Sequence, residues 1–217
     1  MSAKPTVVLS YGCPRSGTSV VAAMCRGLEG VCYQKWKELS VLHPGKCDYG
    51  MLQLSQVFSE CNLVFVRSVR HPIEIVKSFY ALREGLVPST GTIHLTSDER
   101  ILEWIEMESN NTAEQIRRLR QDHPWREYET HVVEAKYEVL SSEDRTSFVD
   151  ELASLLPCGE INRQRLEEFL STSWGNKMAS ARTGRLSAGV DVILRPEKEG
   201  WWREQLMEVM EREGYSA

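Results

Sequence analysis

Nine residues, Tyr11-Gly12-Cys13-Pro14-Arg15-Ser16-Gly17-Thr18-Ser19, constrain this chain more than any other stretch. Before them runs Thr6-Val7-Val8-Leu9-Ser10, short, apolar and rich in β-branched side chains, which reads as a strand. After them Val20, Val21, Ala22, Ala23 and Met24 continue with Leu28 at helical spacing. Strand, glycine-bearing turn and helix in this order make a seat for phosphate. The first-turn N–H groups of the helix lack intrahelical partners, and the helix dipole favours an anion. Gly12 and Gly17 permit positive φ and a close approach of backbone to ligand.

The spacing nearly fits the triphosphate-binding pattern G-x-x-x-x-G-K-[ST]. Gly12, Gly17 and Ser19 match, but Thr18 stands in the lysine position and is too short and uncharged to reach a β- or γ-phosphate. The cation sits in the loop instead, at Arg15 after Pro14. One mid-loop cation with two terminal hydroxyls suits a shorter anion. An ordinary strand-to-helix turn with a surface arginine is the competing explanation, and the agreement of independent features across the stretch weighs against it.

Pro14-Arg15-Ser16-Gly17-Thr18-Ser19 resembles the 5′-phosphosulfate loop, P-[KR]-[SGT]-G-T-[ST], of sulfotransferases that use adenosine 3′-phosphate 5′-phosphosulfate (PAPS). A second stretch strengthens the resemblance. Leu63-Val64-Phe65-Val66-Arg67-Ser68-Val69-Arg70-His71-Pro72, followed by a segment carrying Ser78, is similar to the family's 3′-phosphate motif: a strand ending in R-[DN]-P, then a helix with a serine. His71 departs from the usual Asp or Asn. Weaker similarities are Tyr137-Glu138-Val139-Leu140 to a Y-E-x-L strand exit beside the cofactor site, Arg182-Thr183-Gly184-Arg185 to an R-K-G segment, and Gly214-Tyr215 to a terminal L-G-Y.

A chain of 217 residues is long enough for a full core and is read as one domain, 1–217. Its net charge of -5 argues against general binding to nucleic acid or anionic membrane. No apolar run suits a membrane span, and Met1-Ser2-Ala3-Lys4-Pro5 has no signal-peptide pattern, so the expected location is cytoplasmic. The six cysteines show neither C-x-x-C pairing nor zinc spacing and read as reduced thiols, mostly buried. For Cys13, in the loop, a pKa lowered by the helix N-terminus and Arg15 competes with an unreactive loop thiol.

The remaining chain alternates strand and helix patterns. Val31-Cys32-Tyr33, Leu63 to Val66 and Thr130 to Glu134 read as strands. Gly30 is expected to close the first helix, Asp48 to cap a helix over Tyr49 to Phe58, and Pro72 to open one running to about Leu82. Helices are also expected after Ser97-Asp98-Glu99, around Phe148 to Leu156, over Ile161 to Leu170 and over Glu199 to Arg212. The expected fold is therefore α/β: three layers, α/β/α, around a central, mostly parallel sheet with a P-loop-like phosphate-binding loop after the first strand.

The resemblance implies sulfuryl transfer from PAPS, with adenosine 3′,5′-bisphosphate as product, no metal, and a small-molecule, carbohydrate or peptide acceptor. It also implies roles. Arg15 would stabilise the bridging oxygen, and the loop Cys13, Pro14, Ser16, Gly17, Thr18 and Ser19 would hold the 5′ end. Arg70 and Ser78 would hold the 3′-phosphate, with Arg182 and Gly184 closing over it or forming a solvated basic loop. Three residues compete as general base: Glu38 after the second strand, Asp48 before the 3′-phosphate strand, and His43 in a turn. Trp36, Tyr49, Tyr80, Trp104 and Trp174 suit either an acceptor site or core packing. Two other readings stand beside this one: a P-loop nucleotide kinase or NTPase, and a non-catalytic nucleotide-binding module. The first is opposed by the absent loop lysine and by Arg67 where an acid for Mg²⁺ would stand.

Overall fold

The computed structural model describes residues 6–35, 62–85, 95–107, 130–140, 142–173 and 194–216. Its four strands are β1 (Thr6–Gly12), β2 (Val31–Lys35), β3 (Asn62–Val69) and β4 (Thr130–Lys136). They form one sheet in the order β2-β1-β3-β4, with every neighbouring pair parallel. Registers run in step, from Thr6 opposite Asn62 to Gly12 opposite Ser68, and from Leu63 opposite Thr130 to Val69 opposite Lys136. All of β1 and all of β3 except Asn62 are buried, as in a sheet covered on both faces. The chain winds from β1 outward to β2 and returns on the other side to β3. The carboxyl ends of β1 and β3 therefore flank the switch point where open parallel sheets place ligands.

The loop leads from β1 into α1 (Thr18–Arg26), and β3 leads through His71 into α2 (Pro72–Arg83). Residues 98–107 are helical. After β4 come the short helix α3 (Tyr137–Leu140), a 3-10 turn (Glu143–Arg145), α4 (Thr146–Ser154), α5 (Gly159–Glu168) with a π turn at Phe169–Ser173, and α6 (Pro196–Arg212).

Two apolar clusters hold these elements. Val8, Val64, Val66, Val133 and Ala135 of the sheet pack with Val21 and Met24 of α1, Phe148 and Leu152 of α4, and Leu166 of α5. The other cluster joins Ile73, Val76 and Phe79 of α2, Ile101 and Ile105, and Trp202, Leu206, Val209 and Met210 of α6. Truncating Phe79 to Ala would cost about 3–5 kcal/mol. Strand alternation puts Arg67 on the face opposite Val64 and Val66. There its guanidinium bonds both carboxylate oxygens of Glu213, just past α6, at 2.7 and 3.0 Å, and Glu134 at 2.9 Å. Helices on both faces are consistent with three layers.

Several local expectations shift. Helix α1 stops at Arg26 with Gly27 as its cap, so Gly30 does not close it; at φ 70 Gly30 instead turns the chain into β2. Tyr137-Glu138-Val139-Leu140 leaves the strand as a helical turn. Helix α6 begins at Pro196 rather than Glu199, because proline suits the first helical position and Glu197 and Glu199 favour the first turn. Cys13 and Cys25 are buried, and burial pushes the Cys25 thiol well up, whereas Cys32 and Cys158 are exposed. Among the described residues, no helix is long and apolar enough to cross a membrane. Glu38, His43, Asp48, Arg182 and Gly184 lie outside the described residues, as do Trp36, Trp174, Cys47, Cys61 and the helix expected over Tyr49 to Phe58.

Candidate functional site

The loop after β1 is braced from within and from β3. The Cys13 carbonyl accepts the Ser16 N–H at 3.0 Å and the Ser16 hydroxyl at 2.7 Å. Ser68, on β3 opposite Gly12, donates its hydroxyl to the Ser16 carbonyl at 2.7 Å, and the two serine Oγ atoms lie 3.1 Å apart. A Cβ on Gly12 would stand 2.5 Å from the Ser68 carbonyl oxygen, so only glycine lets the two strand ends lie this close. Gly17, at φ 101, caps α1 without a side-chain hydrogen bond; its carbonyl accepts the Val20 N–H at 2.8 Å, which leaves the N–H groups of Thr18 and Ser19 to a ligand.

Arg15 takes a left-handed conformation at φ 75, a strain of about 1–3 kcal/mol that recurs at ligand clamps. From there its Nε donates to Ser78 Oγ of α2 at 2.9 Å, across 63 positions of sequence. Arg70, at the end of β3, donates from Nη1 to the Arg15 carbonyl at 3.3 Å. The two separate sequence motifs thus meet in space, cation beside cation.

Charge at this meeting point is unbalanced. Arg15 makes no ion pair among the described residues. Burial, then the neighbouring Arg70, lowers its pKa, as befits a guanidinium with no acid paired to it among the described residues. Arg70 reaches Glu74 at only 3.7 Å, and its buried Nε finds no hydrogen-bond partner among the described residues. The Arg70 guanidinium lies 4.5 Å from the centre of the Tyr137 ring. Two guanidiniums, a helix N-terminus and a serine hydroxyl converge here, an arrangement that suits bound anions.

No protein-family model, curated protein or solved structure matches this chain. Arg15, Gly17, Thr18, Arg70 and Ser78 gather at the carboxyl ends of β1 and β3. The exposed Ser19 and half-exposed Pro14 lie on the same turn. Two residues expected at the site turn inward: the Ser16 hydroxyl is spent on the loop itself, and the Cys13 side chain, 3% exposed, packs in the α2–α6 cluster. That burial favours the unreactive reading of Cys13.

His71 departs from the Asp or Asn of the resembled motif, yet its Nδ1 accepts the Ile73 N–H at 3.2 Å and caps α2 as those side chains would. Sequence reasoning gave no role to Ser68 and placed Glu138 only within a Y-E-x-L segment beside the cofactor site. Ser68 carried a signal, a small hydroxyl residue near the end of an apolar strand two positions before Arg70. Glu138 carried its place in the Y-E-x-L segment, which gave no contact with His71. No group of three or more His, Cys, Asp or Glu side chains placed to hold a metal occurs among the described residues.

Proposed function

We propose that this chain is a PAPS-dependent sulfotransferase acting on a hydroxyl or amine of a small-molecule, carbohydrate or peptide acceptor. One observation carries the reading: Arg15 of the first motif and Ser78 of the second share a hydrogen bond of 2.9 Å, with Arg70 on the Arg15 carbonyl. Two anion seats in contact suit a nucleotide phosphorylated at both ends of its ribose. Arg15, which has no ion pair among the described residues, the Arg70 Nε, which has no hydrogen-bond partner among them, and the Thr18 and Ser19 N–H groups of α1 are groups such a ligand would satisfy.

The donor nucleotide would supply the sulfuryl group. As the acceptor's bond to sulfur forms, the bond from sulfur to the bridging oxygen breaks, and the acceptor's proton passes to a base, for which Glu38, Asp48 and His43 stand as candidates. Arg15, always charged, would stabilise the negative charge that grows on the bridging oxygen; it would not donate a proton. Thr18, Ser19 and the backbone of Gly17 would hold the 5′-phosphate, and Arg70 and Ser78 the 3′-phosphate.

A P-loop kinase or NTPase would need a lysine where Thr18 stands and an acid at the end of β3 for Mg²⁺. Arg67 occupies that strand and is committed to Glu134 and Glu213. Thermal stabilisation separates the readings. Adenosine 3′,5′-bisphosphate should raise Tm more than AMP, with no need for Mg²⁺. A shift seen only with ATP and Mg²⁺ would favour the kinase. Sulfuryl transfer in an acceptor screen would exclude the non-catalytic module.

A further inference from the structure

Tyr137 and Glu138 hold Arg70 at both of its ends. Glu138 Oε1 accepts the His71 N–H at 2.8 Å, and that N–H belongs to the peptide bond between Arg70 and His71. The contact fixes the plane from which the Arg70 side chain springs. At the far end, the Arg70 guanidinium rests on the ring of Tyr137, 4.5 Å from its centre. Glu138 is itself held: its Oε2 accepts the Tyr215 hydroxyl at 3.0 Å, and the Tyr215 ring lies 4.8 Å from that of His71. Tyr215 is fixed in turn by its own N–H on the Met210 carbonyl at 2.8 Å, one turn back in α6. Glu138 is exposed, so its hydrogen bonds add little stability, and what they supply is direction.

We propose that Glu138 is a positioning residue for the Arg70 anion seat, braced by Tyr215. This rests on Arg70 being an anion seat, as the proposed function requires. Among the described residues the Arg70 Nε finds no hydrogen-bond partner and the ion pair with Glu74 is long, so the Arg15 carbonyl and the Tyr137 ring are its main side-chain restraints. Without Glu138 the Arg70–His71 peptide can rotate, and the guanidinium loses its aim.

The test compares affinities for adenosine 3′,5′-bisphosphate and AMP by calorimetry. In Glu138→Ala the ratio of the two should fall about tenfold, which is about 1.4 kcal/mol, toward the value in Arg70→Ala. Affinity for AMP should change less than about twofold. Glu138→Gln, which keeps an acceptor for the His71 N–H, should restore most of the ratio. Adding Glu138→Ala to Arg70→Ala should cost nothing more, because the two act through one group. An unchanged ratio in Glu138→Ala, or a parallel loss of AMP, overturns the proposal. If Glu138→Ala fails to fold, Tyr215→Phe decides: the ratio should fall by about twofold to fivefold, and an unchanged ratio overturns the proposal. A wild-type protein indifferent to the 3′-phosphate overturns the bisphosphate reading instead. Inorganic pyrophosphate then probes the seat, and Glu138→Ala leaving its Arg70-dependent binding intact overturns the positioning role.

Discussion

Gly17→Ala should be far more damaging than a surface glycine substitution, and Gly85→Ala provides the control. Both glycines have positive φ, 101 and 70. Each substitution therefore carries a backbone penalty of about 1–2 kcal/mol. Their surroundings differ. A Cβ on Gly85 meets nothing within 4 Å among the described residues, whereas one on Gly17 would stand 2.7 Å from Cδ2 of Tyr137 and 3.4 Å from Ser68 Oγ. The Tyr137 ring cannot yield without releasing the Arg70 guanidinium that rests on it. Overpacking of this kind costs about 1–3 kcal/mol beyond the backbone penalty. Gly17→Ala should therefore lose roughly 2–5 kcal/mol, lowering Tm by roughly 5–15 °C for a chain of this size. Gly85→Ala should lose only the backbone share. Thermal and urea unfolding followed by circular dichroism measure both. If Gly17→Ala melts within about 2 °C of Gly85→Ala, the wedge between Gly17 and Tyr137 does not exist.

Other outcomes follow from the same geometry. Arg15→Ala should depress turnover far more than nucleotide affinity, while Arg70→Ala should chiefly weaken binding of the 3′-phosphorylated nucleotide; interchangeable effects in steady-state kinetics and calorimetry would refute these roles. Burial holds the His71 imidazole below its usual 6.5, so the unfolded chain binds more protons as pH falls through that value. His71 should therefore leave stability intact above about pH 6.5 and erode it below, and His71→Asn, which keeps the cap, should flatten urea-measured stability across that window. Of Glu38→Gln and Asp48→Asn, the one that removes the base should lose about two to four orders of magnitude in turnover while keeping nucleotide affinity, and we expect Glu38→Gln to be that variant.

The parallel sheet was legible because its signals are local. Thr6 to Ser10 and Leu63 to Val66 are apolar runs of strand length, each followed by a glycine or a proline that opens a helix. The two arginines were legible because short motifs carry them. What could not be read was contact between motifs. The Arg15–Ser78 bond joins residues 63 positions apart, and Glu138 reaches His71 across 67, distances at which no periodicity or spacing speaks. Ser16 and Cys13 were expected to face a ligand because they lie in the loop. A tight turn has two sides, however, and theirs faces the Cys13 carbonyl and the α2–α6 cluster. Gly30 misled for a simpler reason: two glycines, Gly27 and Gly30, follow one helix, and only the backbone tells which one ends it.

The Arg67–Glu213 pair spans 146 positions, which sets an order of events during synthesis. Strands β1 and β3 and the loop after β1 emerge from the ribosome long before residue 213. Until then Arg67 would be a charge on a strand destined for burial, with Glu134 its first available acid and half-exposed itself. Burying a guanidinium with incomplete pairing is costly, so β3 is expected to stay hydrated and its helical cover undocked while translation continues. Closure of that face then coincides with completion of α6. A ribosome stalled before residue 213 would present the loop and Arg70 on an open sheet, accessible to protease, and release past that point would make the same sites resistant.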